Sequence, residues 1–284
     1  MSGLHVTLSV DDGHPLDLRT AALLARHGLR ATFYLPLSNC EGPPVMNGAQ
    51  ARVLAQGFEL GSHTLSHRFL AGVDEHRAWH EISEGKRALE DCIGLPVDGF
   101  CYPGGRYRLL HVRQVQAAGF RYARTTRNLR IDAGHKPFEM PTSAQFYPHA
   151  RDVWLRNFLS QRDWHRRTPA LLAMLCEADW LVRLHRLLAL AQVRGELFHV
   201  WWHSLDIERL GLWDALDRFL AGIAARVPPQ RRISNGEVFS VAAPTPQAAQ
   251  VPRPAVPQPA DRVLHPARAA PPFPPSRPSG NSAT

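Results

Sequence analysis

Along the first 120 residues the apolar positions switch repeatedly between a two-residue and a helical period, and a glycine marks nearly every switch. The opening run Leu4-His5-Val6-Thr7-Leu8-Ser9-Val10 is rich in β-branched and apolar residues and ends in Asp11-Asp12-Gly13. That pattern reads as a buried strand carrying charge to the mouth of a sheet. Residues 18–27 have helical spacing and stop at Gly28, a favoured residue just past a helix end. Residues 30–36 then read as a strand. The same punctuation returns with Gly57 before a strand from Phe58, a helix over 74–93 with Gly94 before a strand near Phe100, and a helix over 107–118 with Gly119 before a strand from Phe120. Strands alternating with helices in this way predict βα units on a parallel sheet.

From Pro137 to Gly195 the pattern changes. Residues 137–141 read as a short strand and 152–160 and 170–193 as helices, with 162–167 between them, a helical connection that can wall one side of a groove. Phe146, Tyr147, Trp154 and Trp164 in this region suit either sugar stacking or core packing. A last clear strand over 197–203 precedes a helix over 212–227 and a short strand over 231–234. Beyond Phe239 the composition shifts, and 12 of the 24 prolines fall in residues 241–284. Such a segment cannot form a packed core, so the reading is a domain over 1–240 and a disordered Pro/Ala-rich tail over 241–284.

With 284 residues, 44% of them hydrophobic, the chain matches one domain of α/β-barrel size. The net charge is +8, of which Arg253, Arg262, Arg268 and Arg277 against Asp261 place +3 in the tail. No block of lysines or arginines stands out, so no nucleic-acid partner is expected and an anionic partner stays unspecific. The four cysteines show neither CxxC spacing nor disulfide density, which fits a reducing compartment. The amino terminus lacks a basic segment followed by an apolar stretch, and no run of about 18 apolar residues occurs. The expectation is a cytoplasmic protein without a membrane span.

In an extended backbone Asp11 and Asp12 point to opposite faces, so one carboxylate can bind a metal while the other faces a substrate; a plain Asp-Gly turn is the alternative. Three HxxxH pairs occur among the 15 histidines. His76 and His80 fall in a helix dense in Glu and Arg, a solvated face. His199 and His203 lie on one strand, about 13 Å apart, too far to share a metal. His63 and His67, in Gly61-Ser62-His63-Thr64-Leu65-Ser66-His67, lie where a strand gives way to a turn or helix and can chelate one ion. Two imidazoles and one carboxylate suit zinc or another divalent metal.

The Asp-Asp-Gly strand end, the His-Thr-Leu-Ser-His segment and a late strand ending in histidine together resemble the NodB-homology polysaccharide deacetylases, carbohydrate esterase family 4. Order and spacing agree over roughly residues 4 to 240. The resemblance implies an irregular, seven-stranded (β/α) barrel with its site at the carboxyl ends of the strands. It implies Asp11 as general base, Asp12, His63 and His67 as ligands of a divalent metal, most often zinc, and His203 as general acid. Trp201 resembles the apolar residue lining the acetyl-methyl pocket. Phe100-Cys101-Tyr102-Pro103-Gly104-Gly105-Arg106 resembles the third motif, with Tyr102 and the Gly104 N–H at the substrate. Cys101 stands where many members have an arginine that positions the base, so Arg106 or Arg124 is the candidate replacement. The fourth motif has only Asp132 as a candidate. The implied activity is N-deacetylation of an acetylated sugar polymer or oligosaccharide. Carbohydrate O-acetyl esterase activity, an inactive carbohydrate-binding relative and a basic nucleic-acid binder remain open alternatives.

Overall fold

The outermost strand run of the sequence becomes the centre of the sheet. A computed structural model describes residues 3–161, 163–194 and 196–242 of the chain. Its elements, in order, are β1 (His5–Asp11), α1 (Asp17–Arg26), β2 (Thr32–Leu35), α2 (Gly48–Ala55), β3 (Glu59–Ser62), α3 (Glu75–Ile93), β4 (Gly99–Cys101), α4 (Leu109–Ala117) and β5 (Tyr122–Arg124). They continue with β6 (Ala144–Gln145), α5 (Arg151–Ser160), α6 (Trp164–Leu175), α7 (Trp180–Arg194), β7 (Leu197–His203), α8 (Ser204–Arg209), α9 (Trp213–Arg226), β8 (Arg232–Ile233) and α10 (Asn235–Ala242). The strand order is β5-β4-β3-β2-β1-β7-β6, and every pairing is parallel. β8 pairs with Val6 and Thr7, leaving Ser9 to Asp11 of β1 for β2. This is the expected NodB-type barrel in open, half-barrel form. Of the segment read as a disordered tail, 243–284 lie outside the described residues and Val241 and Ala242 end α10; no helix among the described residues is long and apolar enough to cross a membrane.

The two faces of β1 bury different chemistry. Val6, Leu8 and Val10 share an apolar cluster with Leu24 of α1 and Phe219 of α9. Thr7 and Ser9 are equally buried on the opposite, inner face, where a polar group needs a partner. Thr7 Oγ1 donates to Asn235 Oδ1 at 2.6 Å, Ser9 Oγ meets His199 Nε2 at 2.9 Å, and Tyr122 OH donates to Glu59 Oε1 at 3.0 Å. His199 is thus a buried hydrogen-bonded histidine, and burial pushes its pKa down to about 3.

Two elements depart from the sequence reading. Residues 137–141 form a 3₁₀ turn, Pro137–Glu139, instead of a strand, with a single bridge from Met140 to Arg124. Proline at the first position of that turn presets its φ and removes a ladder donor. The continuous helix read over 170–193 is two helices, and the first starts already at Trp164. Asp179 makes the break: its Oδ1 accepts from Leu181 N at 2.7 Å and Val182 N at 3.0 Å, an N-terminal cap for α7. β6, α8 and α10 were not legible from the periodicity.

Candidate active site

Strand register assembles the site. Asp11 is level with Tyr34 on β2 and with His203 on β7, so the carboxylate and the imidazole leave the sheet at the same height. Three non-glycine residues there have left-handed backbone, Asp12 at φ 81°, Thr64 at 67° and His67 at 56°. Each such residue costs about 1–3 kcal/mol and persists only where its surroundings hold it. For the histidine segment those surroundings are α3. Glu81, fully buried, accepts from Ser66 N at 2.9 Å and from Ser66 Oγ at 2.8 Å, and its backbone oxygen accepts from Leu65 N at 2.9 Å. Gly85, one turn further, lets the helix approach this loop: a Cβ there would lie 2.7 Å from Leu65 N. Glu81→Ala, which strands the Ser66 N–H, is expected to lower stability by about 1–3 kcal/mol and to weaken metal binding. Denaturant unfolding and metal titration of the variant check this.

Asp12, His63 and His67 bring three ligand atoms within 4.8 Å of one another. Asp12 Oδ1 is 3.1 Å from His67 Nε2 and 3.5 Å from His63 Nε2, yet it is buried with no hydrogen-bond partner among the described residues. His63 is oriented from behind by the hydrogen bond of its Nδ1 with Cys101 O at 2.8 Å, while His67 Nδ1 lies 2.8 Å from Glu41 Oε2 without hydrogen-bond geometry. A partner on Nδ1 leaves the Nε2 lone pair for a cation, the arrangement metal-binding histidines require. Burial opposes the charge of Asp12, but attraction to His63 and His67 outweighs it and holds the carboxyl well below its usual range. The donor set therefore fits a divalent cation.

Asp11 is paired with Arg124, which donates from Nη2 to Asp11 Oδ1. Arg124 is fully buried, its guanidinium over the Trp201 ring at 4.8 Å and the Tyr34 ring at 5.3 Å. In register it is the neighbour of Cys101. A cation has thus reached Asp11 from the strand next to Cys101, while the Cys101 thiol sits 3.8 Å from Asp11 Oδ2. Arg106, the other candidate, lies over Phe69 at 5.1 Å instead. On the other side, His203 Nδ1 meets Asp206 Oδ2 at 2.8 Å and His203 Nε2 is 3.8 Å from Asp12 Oδ2. Burial lowers the pKa of His203, but the hydrogen bond to Asp206 and the charges of Asp12 and Asp11 raise it to about 9.

Asp11, Asp12, His63, His67, Trp201 and His203 line one groove of about 400 Å³, and Gly104 lines it too. Tyr102 does not: it is fully buried, stacked on Tyr107 at 4.3 Å, with its hydroxyl donating to Phe138 O at 3.1 Å. Asp132 is also elsewhere, paired with Arg130. Asp206, Glu41 and Glu81 escaped the sequence reading. Asp206 had a local signal, three residues after His203 in the first turn of a helix. The groove is also lined by Asn128, by Gln145 of β6, and by His149, Trp154, Asn157 and Gln161 of the helical connection. Of the four aromatics weighed there, Phe146 is core, and Trp154 is buried but borders the groove.

The model of the polysaccharide deacetylase family matches residues 2–123. Over that segment the chain is similar to the polysaccharide deacetylases. The likeness read from the Asp-Asp-Gly and His-Thr-Leu-Ser-His motifs, both within the matched residues, thus stands. A peptidoglycan-N-acetylglucosamine deacetylase from Bacillus cereus is 33% identical over 91 residues, which are 31% of this chain and 32% of that protein. The chain accordingly spans about a third of the length of that relative. Among solved structures, a protein assigned as a polysaccharide deacetylase from Mycobacterium smegmatis superposes with a TM-score of 0.58 at 19% identity, over 89% of this chain and 95% of that one. The Xyl-CE4 domain of a multidomain xylanase from the hindgut metagenome of Trinervitermes trinervoides gives 0.50 at 15% identity, over 88% and 96%. At these identities the structural likeness speaks for the fold.

Proposed function

We propose that the chain is a divalent-metal-dependent hydrolase, most simply a zinc enzyme, that removes N-acetyl groups from an acetylated carbohydrate. The observation that carries this reading is the convergence in one groove of a three-residue ligand set, a carboxylate and an imidazole hydrogen-bonded to Asp206. Asp12, His63 and His67 would hold the metal, which supplies a Lewis acid to polarise the acetamide carbonyl. Asp11, fixed by Arg124, takes the proton from the attacking water. His203, oriented by Asp206, gives a proton to the leaving amine, whose expulsion requires one. Trp201 walls the space for the acetyl methyl, and Gly104, at φ 59°, brings backbone to the groove as an oxyanion donor. The domain over 1–240 carries all of these residues, and the Pro-rich remainder is assigned no part in the chemistry.

The test is acetate release from N-acetylated oligosaccharides by the purified protein, then after chelation, then after restoring one equivalent of metal. Activity that disappears with the metal and returns with zinc is the expected result. Full activity in metal-free protein, with elemental analysis confirming its absence, overturns the reading.

A further inference from the structure

Behind one wall of the groove lies a second cavity of about 460 Å³, lined by Arg127, Arg130, Lys136 and Arg166 with Glu139 and Asp163. The two cavities share their partition. Thr126, Asn128 and Gln161 face the groove, whereas the neighbouring Arg127, Arg130 and Arg166 face the second cavity. Adjacent Cα atoms are about 3.8 Å apart, so around residues 126–130 the partition is a single thickness of backbone. The two cavities are therefore immediate neighbours, lined from opposite sides by one segment.

The cations there are incompletely neutralised. Lys136 Nζ pairs with Glu139 Oε2 at 2.8 Å, which leaves Arg127 only a 3.9 Å approach to the same carboxylate. Arg130 is held by Asp132 and reaches Asp163 Oδ2 at 3.3 Å. Arg166 forms no ion pair among the described residues. Directly beneath, the buried Arg167 spends its donors on oxygens of neutral residues, Asn128, Asn157, Phe158 and Gln161. Five cationic side chains thus stand against the three carboxylates of Asp132, Glu139 and Asp163. Consistent with a positive local field, burial and the charges of Arg127 and Arg130 push the pKa of Arg167 down to about 10.

We propose that this cavity binds an anionic substituent, a carboxylate or a phosphate, on the carbohydrate whose acetyl group occupies the groove. The arginines suit that role, since a planar guanidinium pairs with either oxyanion through two parallel hydrogen bonds. The identity of the ligand as a carbohydrate rests on the deacetylase reading; the preference for an anion does not.

The experiment compares wild-type protein with the double variant Arg127→Ala/Arg166→Ala on N-acetylated oligosaccharides of equal length, with and without a carboxylate substituent. The double variant is expected to raise KM for the anionic oligosaccharide about tenfold or more, with kcat unchanged and with neutral oligosaccharide kinetics untouched. Inorganic phosphate should compete with the anionic oligosaccharide only. Equal losses on both substrates, or none on either, overturn the proposal; so does phosphate that alters turnover of the neutral one, which marks a site for free anions. Calorimetric binding of the carboxylated oligosaccharide keeps the two readings separate. Salt-sensitive binding that the double variant loses supports the cavity even if no acetate is released, and binding indifferent to the substitutions overturns it.

Discussion

Asp11→Asn is expected to keep the metal and lose about 10²- to 10⁴-fold in turnover, whereas Asp12→Asn is expected to lose metal affinity first. The adjacent carboxylates divide these tasks because of where the backbone turns. Asp11 ends β1 in extended conformation with its side chain on the inner face, beside Arg124. Asp12, with its left-handed φ of 81°, swings its carboxylate to the two imidazoles. An asparagine at 11 still accepts the hydrogen bond from Arg124, but its amide cannot take a proton from water at neutral pH. The buried guanidinium then lacks its countercharge, so the variant must be compared per folded molecule, with metal content by elemental analysis and turnover by acetate release. An Asp11→Asn protein that turns over normally, or one that empties of metal while Asp12→Asn stays loaded, contradicts the division.

The second large effect concerns stability. Arg124→Ala removes one member of a fully buried ion pair, and such changes typically cost about 3–5 kcal/mol because the remaining charge is left uncompensated. Burial works against the charge on Arg124, and it is Asp11 that holds the guanidinium protonated. Two further guanidinium nitrogens, Nε and Nη1, have no hydrogen-bond partner among the described residues, so the pair with Asp11 is its main compensation. The double variant Asp11→Asn/Arg124→Met leaves no charge in that space and should recover most of the loss. Urea unfolding of the two variants decides between this and simple loss of packing against Trp201 and Tyr34. If the double variant is as unstable as Arg124→Ala, packing and not charge is what Arg124 contributes.

Local pattern was enough for the scaffold. The run that ends at Asp11, the strand over 197–203 that ends at His203, and the glycines at 28, 94 and 119 placed the βα units, because chain period and turn chemistry are properties of neighbouring residues. His63 and His67 were legible as a pair for the same reason: four residues across a turn is a short-range geometry. The connection over 137–195 was read less well. Its proline turn and the break at Asp179 depend on one capping or ring constraint each, which a periodic average smooths over.

What tertiary structure decided were the partners of those residues. Nothing in Phe100-Cys101-Tyr102 shows that the cation for Asp11 arrives from Arg124, 113 residues away, because that contact depends on how β4 and β5 are registered. The capture of Ser66 by Glu81 depends on the close approach of α3 at Gly85, and the gathering of dispersed arginines around one cavity depends on how the helical connection folds back on the 126–130 segment. Sequence reports what a residue can do. Burial and register, which bring distant groups into a space without water, determine which of those capacities is used.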